Sequence, residues 1–406
     1  MTPDPNNDRR LPLAGVRVLD VATMLAAPFC AALLGDFGAE VIKVEMPGSG
    51  DPFRRFGTMT EAGASLNWLN DGRNKKSVTL DLRQPRGAAL LKRLVADCDI
   101  LVENFRPGTL ERWGLGYETL KAIKRDLILV RISAYGQDGP YRDRPGFARI
   151  AHAFSGLAYL AGEADGPPVT PGSTSLADYI SGLYAAFGAL LAYTSRERFG
   201  DGQMVDVALY EGIFRMLDEL APAYARSGFV RERMGADTVN VVPHSHYQSA
   251  DGKWVALACS TDRMFERLAS VMQRPDLLAP DRFPTMAQRV AARAEVNDIV
   301  ADWIGSLSRD EVMRRCLDGE VPIGPLNSIA DIFDDPQFHA RGNLLHVQDR
   351  RVGEVVVPNV VPRLSATPGR LASLGPDLGQ HNDEIYRGYL GISAEEFESL
   401  RADGVI

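Results

Sequence analysis

The chain opens with a short apolar run, an apolar helical stretch and a second short run. Residues 15–20 contain three large apolar residues and are predicted to be a buried strand, and residues 40–45 are predicted to be a second strand. Between them, residues 27–37 are rich in small apolar side chains and have the length of a helix. This order predicts a βαβ unit at the start of the chain.

The same alternation continues to about residue 133. The further strands are predicted at residues 77–82, 99–103 and 127–133, and the helices at residues 85–95 and 118–124. Strands that alternate with helices favour a parallel sheet covered by helices, so the fold class is predicted to be α/β with a Rossmann-like parallel sheet.

The pattern changes in the middle of the chain. Helical sequence at 183–193 and 210–225 is followed by an irregular stretch, 231–246, which marks a predicted boundary. The elements predicted beyond it are a strand at 254–258, helices at 264–271, 291–306 and 309–317, a strand at 353–357 and a charged helix at 394–403. We therefore predict a large α/β domain at 1–225, a small α+β domain at 226–335 and a C-terminal segment at 336–406.

Composition narrows the class of protein. The chain has 406 residues, of which 45% are hydrophobic and 24% charged, and its mean hydropathy is -0.13. These values are typical of a soluble globular enzyme, and no segment has the unbroken apolar length of a membrane helix. The net charge of -8 argues against nucleic-acid binding, because that binding depends on excess positive charge. Four widely spaced cysteines favour a reduced, cytoplasmic setting.

Several familiar sites are missing from the sequence. The turn after the first strand lacks G-x-G-x-x-G and G-K-[ST], so neither usual phosphate loop is present. No G-x-S-x-G accompanies the histidines, which leaves a hydrolase triad unsupported. His244 and His246 lie two residues apart without a third ligand at metal spacing, so no metal site is predicted.

Three basic or polar positions keep two interpretations each. Arg106 and Arg112 flank a turn between a strand and a helix, which is either a phosphate site or a solvated turn. Arg54 and Arg55 end a glycine-rich segment that is either a plain loop or an anion clamp. His152 is either a core histidine or a substrate contact.

Asp178 follows a Pro/Gly/Ser/Thr loop and comes at the start of the helix predicted at 183–193, which is also rich in small residues. An aspartate there is a favoured helix N-cap, because its carboxylate accepts free N–H groups at the positive helix end. The same place suits a carboxylate nucleophile. The residues alone leave both roles open.

Taken in order, six motifs resemble the type III CoA-transferase family, also called the CaiB/BaiF family, which includes formyl-CoA and carnitine CoA-transferases and alpha-methylacyl-CoA racemases. The resemblance covers nearly the whole chain. Its motifs are PLAGVRVLD at 12–20, GAEVIKVE at 38–45, NKKSVTLDL at 74–82, VENFRPG at 102–108, GDGQMVDV at 200–207 and DPQFHARG at 335–342.

The resemblance implies roles for individual residues. Asp178 matches the family's catalytic aspartate. The positions that match CoA contacts are Met24, Leu25, Leu80, Arg83, Asn104, Phe105, Arg112 and Trp113. The candidates for substrate contact are Arg54, Arg55, Phe147, His152, His244 and His246.

The resemblance also implies the chemistry and the assembly. An aspartate of this family attacks an acyl-CoA thioester to give a mixed anhydride, and the released CoA thiolate then converts it to an aspartyl-CoA thioester. Coenzyme A and acyl-CoA are substrates, and no tightly bound cofactor is expected. The family builds a large domain from both chain ends, inserts a small domain and interlocks two chains into a homodimer with its site between domains.

Two alternatives remain at this point. A racemase needs acid and base groups, and racemases keep a His-Asp pair where this chain has Gly146-Phe147-Ala148. A CoA-binding protein without catalysis is the other alternative. Residues 242–265 look most like members that act on short dicarboxylates such as succinate, malate, citramalate or mesaconate, with succinyl-CoA or another short dicarboxyl-CoA as donor.

Overall fold

The computed structural model describes residues 11–406. These residues form two compact units. The first unit contains residues 11–157, Gly172–Leu220 and Ala340–Ile406, and the second contains Ala158–Pro171 and Ala221–His339.

A parallel sheet forms the centre of the first unit. Its strands are β1 (Arg17–Asp20), β2 (Glu40–Glu45), β3 (Lys75–Thr79), β4 (Ile100–Glu103), β5 (Ile128–Ser133) and β6 (Met204–Ala208). They lie in the order β3-β2-β1-β4-β5-β6, and every neighbouring pair is parallel. This is the strand order of doubly wound nucleotide-binding sheets. The predicted α/β class with a parallel sheet is confirmed, although β6 was not predicted.

The other strands form two small antiparallel sheets. The three-stranded sheet of the second unit contains β7 (His244–Gln248), β8 (Trp254–Ala258) and β9 (Ile323–Pro325), and a hairpin of the first unit contains β10 (Leu344–Asp349) and β11 (Gly353–Pro358). The prediction that residues 231–246 are irregular throughout was wrong at its end, because β7 begins at His244.

Helices fill most of the remaining chain. Up to Ser227 they are α1 (Ala26–Asp36), α2 (Leu66–Asp71), α3 (Pro85–Val95), α4 (Thr109–Arg112), α5 (Tyr117–Ile123), α6 (Ala148–Phe154), α7 (Leu157–Leu160), α8 (Leu176–Phe199), α9 (Leu209–Arg215) and α10 (Leu220–Ser227). Beyond it they are α11 (Asp262–Val271), α12 (Met286–Ala291), α13 (Arg293–Gly305), α14 (Arg309–Asp318), α15 (Ile329–Asp334), α16 (Pro336–Ala340), α17 (Ala394–Ala402) and a π-helical segment, Asp383–Tyr389. Short 3-10 turns lie at Pro52–Arg55, Pro171–Ser173 and Pro275–Leu278.

The sheet is buried on both faces, as is usual for parallel strands covered by helices. Val18 and Ile100 belong to the core shared with α1 and α8, whereas Leu19 and Leu101 belong to the core shared with α3. Successive strand residues therefore enter opposite cores, because side chains alternate across a strand.

Helix α8 is the one described helix long and apolar enough to cross a membrane by length and composition. Its small residues, among them Ala185 and Ala189, are buried in the core shared with α1. Gly182 allows this close approach, since a Cβ there would lie 2.5 Å from the carbonyl oxygen of Ala26. One face of α8 is therefore packed in the core of the first unit.

The predicted domain limits need one correction. Residues 158–171 fall inside the predicted large domain at 1–225, but they group with the second unit. The Gly235 N–H donates to the carbonyl oxygen of Gly162 at 2.9 Å, and the Tyr159 hydroxyl donates to the Glu232 carboxylate. These contacts join the segment to chain that follows residue 220.

Candidate active site

A crevice is expected where the strand order reverses, because the loops after two adjacent strands then leave in opposite directions. Here the reversal lies between β1 and β4. The loop after β1 begins at Val21, and the loop after β4 begins at Asn104. Both loops line cavities at the carboxyl edge of the sheet.

The loop after β1 is held by hydrogen bonds from its neighbours. Asn104 accepts the Thr23 N–H at 2.9 Å and donates to the Thr23 carbonyl oxygen at 2.7 Å. The Asp51 carboxylate accepts the Met24 N–H at 2.9 Å. Met24 has a φ of 65°, a left-handed conformation that a side-chain-bearing residue rarely adopts. The bonds fix the loop in this conformation before any ligand binds.

Buried charges lie beneath this loop. The Lys43 ammonium is 3.3 Å from Asp20 and 3.0 Å from Asp51, and it donates to the carbonyl oxygen of Ala22. Lys75 contacts the other Asp20 oxygen at 3.0 Å. Although burial disfavours the charged form, Lys43 and Lys75 hold the pKa of Asp20 below its ordinary value. The charges therefore balance within the network.

Two clefts open at this edge and share Thr23 and Phe105. The first cleft has a volume of about 220 Å³ and is lined by Leu80, Leu82, Arg83, Phe105 and Trp113, among others. The second cleft has a volume of about 250 Å³ and is lined by Met24, Leu25, Asn104, Phe105, Phe147 and Asp178, among others. The shared residues make the two clefts neighbours along one edge.

The first cleft combines aromatic surface with one cation. The rings of Phe105 and Trp113 meet edge to face at 5.1 Å, and Leu80 is buried beside them. Arg83 is mostly exposed and is paired with Asp81 at 2.8 Å. A flat ring and an adjacent phosphate match such a surface.

Asp178 lies in the first turn of α8, and Ser175 takes the N-cap position. The Asp178 carboxylate forms no hydrogen bond or ion pair with any residue in the range 11–406, so the interpretation of Asp178 as the N-cap was wrong. Burial raises its pKa to about 6. The carboxylate is thus available at neutral pH, and no fixed partner reduces its nucleophilicity.

Several sequence candidates are engaged elsewhere in the first unit. All three guanidinium nitrogens of Arg54 are used by Glu45 and the Pro376 carbonyl oxygen, and its plane covers the Trp68 ring at 3.9 Å. Arg55 is exposed and donates to the Ser49 carbonyl oxygen. Neither arginine lines the second cleft, so their contacts do not support the predicted substrate roles.

Other candidates are not among the residues that line the two clefts. His152 is buried in α6, where its ring accepts a backbone N–H from α8, which makes it a core histidine and corrects its predicted substrate contact. His244 and His246 belong to β7 of the second unit. Arg112 donates to Thr109 and lines neither cleft.

Two arginines of the second cleft were missed. Arg142 and Arg144 line the cleft together with Arg106 and Asp178. The Arg144 guanidinium lies 3.6 Å from the centre of the Tyr141 ring. The sequence could have indicated both arginines as candidates for the site, because they lie in the long polar loop after β5. Loops after parallel strands gather at the carboxyl edge of the sheet.

The second cleft offers little for proton transfer at carbon. Gly146 and Phe147 line it where racemases keep their His-Asp pair, and Phe147 is 70% exposed. A phenyl ring cannot accept or donate a proton. Within residues 11–406, no group of three or more His, Cys, Asp and Glu side chains has a metal-binding arrangement.

Comparison with known proteins agrees with this geometry. The sequence profile described as CoA-transferase family III matches residues 13–382. The alpha subunit of succinyl-CoA–L-malate CoA-transferase from Chloroflexus aurantiacus is 56% identical, over 100% of this chain and 95% of the relative. Succinyl-CoA–D-citramalate CoA-transferase from the same organism is 45% identical, over 97% of this chain and 98% of the relative.

A solved structure supports the same assignment. The crystal structure of a CaiB/BaiF family protein from Brucella suis matches with a TM-score of 0.82 at 34% identity, over 93% of this chain and 99% of that one. The resemblance drawn from the six motifs is therefore confirmed. The chain belongs to CoA-transferase family III and is a CoA-transferase.

Proposed function

We propose that Asp178 is the nucleophile and carries CoA as a thioester between two carboxylic acids. Its carboxylate attacks the donor thioester carbonyl, the C–S bond breaks, and a mixed anhydride and CoA thiolate form. The thiolate then attacks the Asp178 carbonyl, which releases the donor acid and leaves aspartyl-CoA. The observation that carries this proposal is the unpartnered Asp178 carboxylate on the wall of the second cleft.

The acceptor acid repeats these steps in reverse. Its carboxylate attacks the aspartyl thioester, and the thiolate is released while a new anhydride forms. The thiolate then attacks the acceptor carbonyl and regenerates the Asp178 carboxylate. One thioester is exchanged for another, so the reaction is balanced without ATP.

The start of helix α1 could stabilise the oxyanions that develop in these steps. Leu25 and Ala26 lie at this start, on the wall of the second cleft, and the helix has no side-chain cap. The free N–H groups of this turn suit developing oxyanions.

We place the nucleotide end of CoA in the first cleft and its thioester in the second. Leu80, Phe105 and Trp113 offer apolar and aromatic surface for adenine, and Arg83 offers a cation for phosphate. Thr23 and Phe105 line both clefts, so one extended ligand can pass from the first to the second.

We further propose that the acids are short dicarboxylates and that succinyl-CoA is the donor. The relatives reported above are named for succinyl-CoA with malate or citramalate. The second carboxylate of such an acid needs a cation, and Arg106, Arg142 and Arg144 line the second cleft with Asp178. A monocarboxylic acid lacks the second carboxylate that these cations could bind.

The test measures CoA transfer from succinyl-CoA to a panel of carboxylic acids. It compares the unsubstituted protein with Arg144→Gln. We expect transfer to short dicarboxylic acids, and at saturating succinyl-CoA we expect Arg144→Gln to raise KM for these acceptors by about tenfold or more while KM for butyrate stays unchanged. Arg55→Gln is the matched control, because Arg55 is an exposed arginine outside the second cleft.

The outcome of this panel separates two roles for Arg144. Equal increases in KM for butyrate and dicarboxylates at saturating succinyl-CoA would show that Arg144 does not bind the second carboxylate of the acceptor. Preferred transfer to monocarboxylates by the unsubstituted protein would contradict the dicarboxylate proposal.

We also propose that a second copy of the chain covers the outer face of α8, as the resemblance implies. Leu183, Phe187 and Leu191 are each more than half exposed on this helix. Leu183 and Phe187 line an apolar groove of the first unit that also contains Val361 and Leu364. So many exposed apolar side chains in one groove are unusual for an isolated chain. Light scattering should give twice the chain mass of 44.3 kDa, and a monomer mass would refute this assembly.

A further inference from the structure

The first turn of α8 is held on one side by a histidine from another helix. The Ala177 N–H donates to Nε2 of His152 at 2.9 Å, and only 1% of His152 is exposed. Burial, helped by Arg149, lowers the pKa of His152, so its ring is neutral and bears its proton on Nδ1. Ser175 gives no side-chain cap to this helix, so His152 supplies the missing acceptor.

A tyrosine and a buried aspartate hold the same turn on the other side. The Tyr179 hydroxyl donates to Oδ2 of Asp71 at 3.0 Å, and Oδ1 of Asp71 accepts from Asn70 at 2.8 Å. Asp71 is 6% exposed. The Tyr179 ring also packs edge to face against Phe29 of α1, with ring centres 4.9 Å apart. Burial, with the Asp71 charge, raises the pKa of Tyr179, so the hydroxyl stays a donor.

These contacts bear on Asp178 because Ala177 and Tyr179 are its two chain neighbours. The Asp178 carboxylate has no hydrogen-bond partner among residues 11–406, so no contact of its own fixes its direction. Its position depends on the backbone of this turn. Nucleophilic attack requires approach to about 3–3.5 Å, and a displacement of about 1 Å can cost about 100-fold in rate.

We propose that His152 and the Asp71–Tyr179 pair are positioning residues that hold the Asp178 carboxylate toward the second cleft. The inference rests on the proposed role of Asp178 as nucleophile. Helix α8 spans 24 residues and packs along α1, so loss of one hydrogen bond at its start leaves the helix formed and moves only its first turn.

The test compares His152→Asn with His152→Gln. A glutamine places its carboxamide oxygen where Nε2 lies and can still accept the Ala177 N–H, whereas the shorter asparagine places its oxygen near Nδ1. We expect His152→Asn to lower kcat by about 10- to 100-fold, and His152→Gln to stay within about threefold of the unsubstituted protein. The dissociation constant for CoA should stay within about threefold in both variants, because neither substitution touches the clefts.

Tyr179→Phe tests the other side, since it keeps the ring against Phe29 and removes only the hydroxyl. It should also lower kcat with little change in CoA affinity, and mass spectrometry should find less CoA on Asp178 after a brief pulse of succinyl-CoA. Thermal unfolding of all variants is recorded to compare their folding.

Equal kcat for His152→Asn and His152→Gln would overturn the proposal. So would a parallel loss of CoA affinity and thermal stability, because that pattern indicates a merely structural role. A protein without substitutions that transfers CoA but never bears it on Asp178 would overturn the proposed function itself, and the positioning role with it.

Discussion

Asp178→Ala is expected to lower CoA transfer by at least about 10³-fold while CoA affinity stays within about tenfold of the unsubstituted protein. The carboxylate acts on the thioester carbonyl and forms no hydrogen bond or ion pair within residues 11–406, so its loss removes the chemistry without disturbing either cleft. Transfer is measured by mass spectrometry of the acyl-CoA products, and affinity by calorimetry with CoA.

A matched pair of substitutions controls for the change of charge. Asp178→Asn should be as inactive as the alanine variant, whereas Asp206→Asn should keep activity. Asp206 also has a pKa raised chiefly by burial, but it lies on β6 outside both clefts. Retained turnover in Asp178→Ala, or lost CoA binding, would contradict the assignment.

The pH dependence of thioester formation checks the same group. The pKa of Asp178 is raised to about 6, and attack requires the ionised form. The reaction should therefore be constant above about pH 7 and fall about tenfold for each unit below the pKa. An aspartate with an ordinary pKa would keep its rate down to about pH 4, so a flat profile at pH 5 would contradict the raised value.

The central sheet could be predicted because its signals are local. Strands such as β2 and β5 are short segments rich in valine, isoleucine and leucine that lie between helical segments, which is typical of a buried parallel strand. Strand β6 was not predicted, although four of the five residues of Met204–Ala208 are apolar, and only its last residue is buried. The positions of the strands along the chain were thus predicted best where the strand residues are fully buried.

Side-chain partners were harder to predict because they depend on distant residues. The sequence left His152 as either a core histidine or a substrate contact, and its partner is the backbone of Ala177, 25 residues away. It left Arg54 in either a plain loop or an anion clamp, and Glu45 at the end of β2 binds it. Neither pairing leaves a local pattern, whereas the role of Asp178 was predicted from a motif order that spans the chain.

Lys43→Met is expected to destabilise the first unit by about 3–5 kcal/mol. The Lys43 side chain is fully buried, and its ammonium contacts Asp20 and Asp51. Without it, Lys75 remains near Asp20, but Asp51 loses a buried cation at 3.0 Å. Urea unfolding followed by tryptophan fluorescence measures the loss.

Lys76→Met is the matched control for this substitution. Lys76 is also a lysine of the central sheet, but its pairs with Glu40 and Glu384 are partly exposed. Such pairs contribute about 1 kcal/mol or less, so the control should unfold at nearly the same urea concentration as the unsubstituted protein. Equal losses in the free energy of unfolding from Lys43→Met and Lys76→Met would contradict the claim that a buried ion pair matters more than an exposed one.

The double variant Lys43→Met/Asp51→Asn tests whether unbalanced charge is the cause. An asparagine at position 51 would be neutral but could still accept the Met24 N–H through its side-chain oxygen, so the loop after β1 keeps that contact. We expect the double variant to be more stable than Lys43→Met alone by about 1–2 kcal/mol, since no uncompensated carboxylate remains at this position. If the losses in free energy of unfolding from the two single substitutions simply add in the double variant, the packing of the lysine stem rather than its charge supports the loop. Partial recovery of stability together with CoA affinity would show that the buried charges act by holding the loop that lines both clefts.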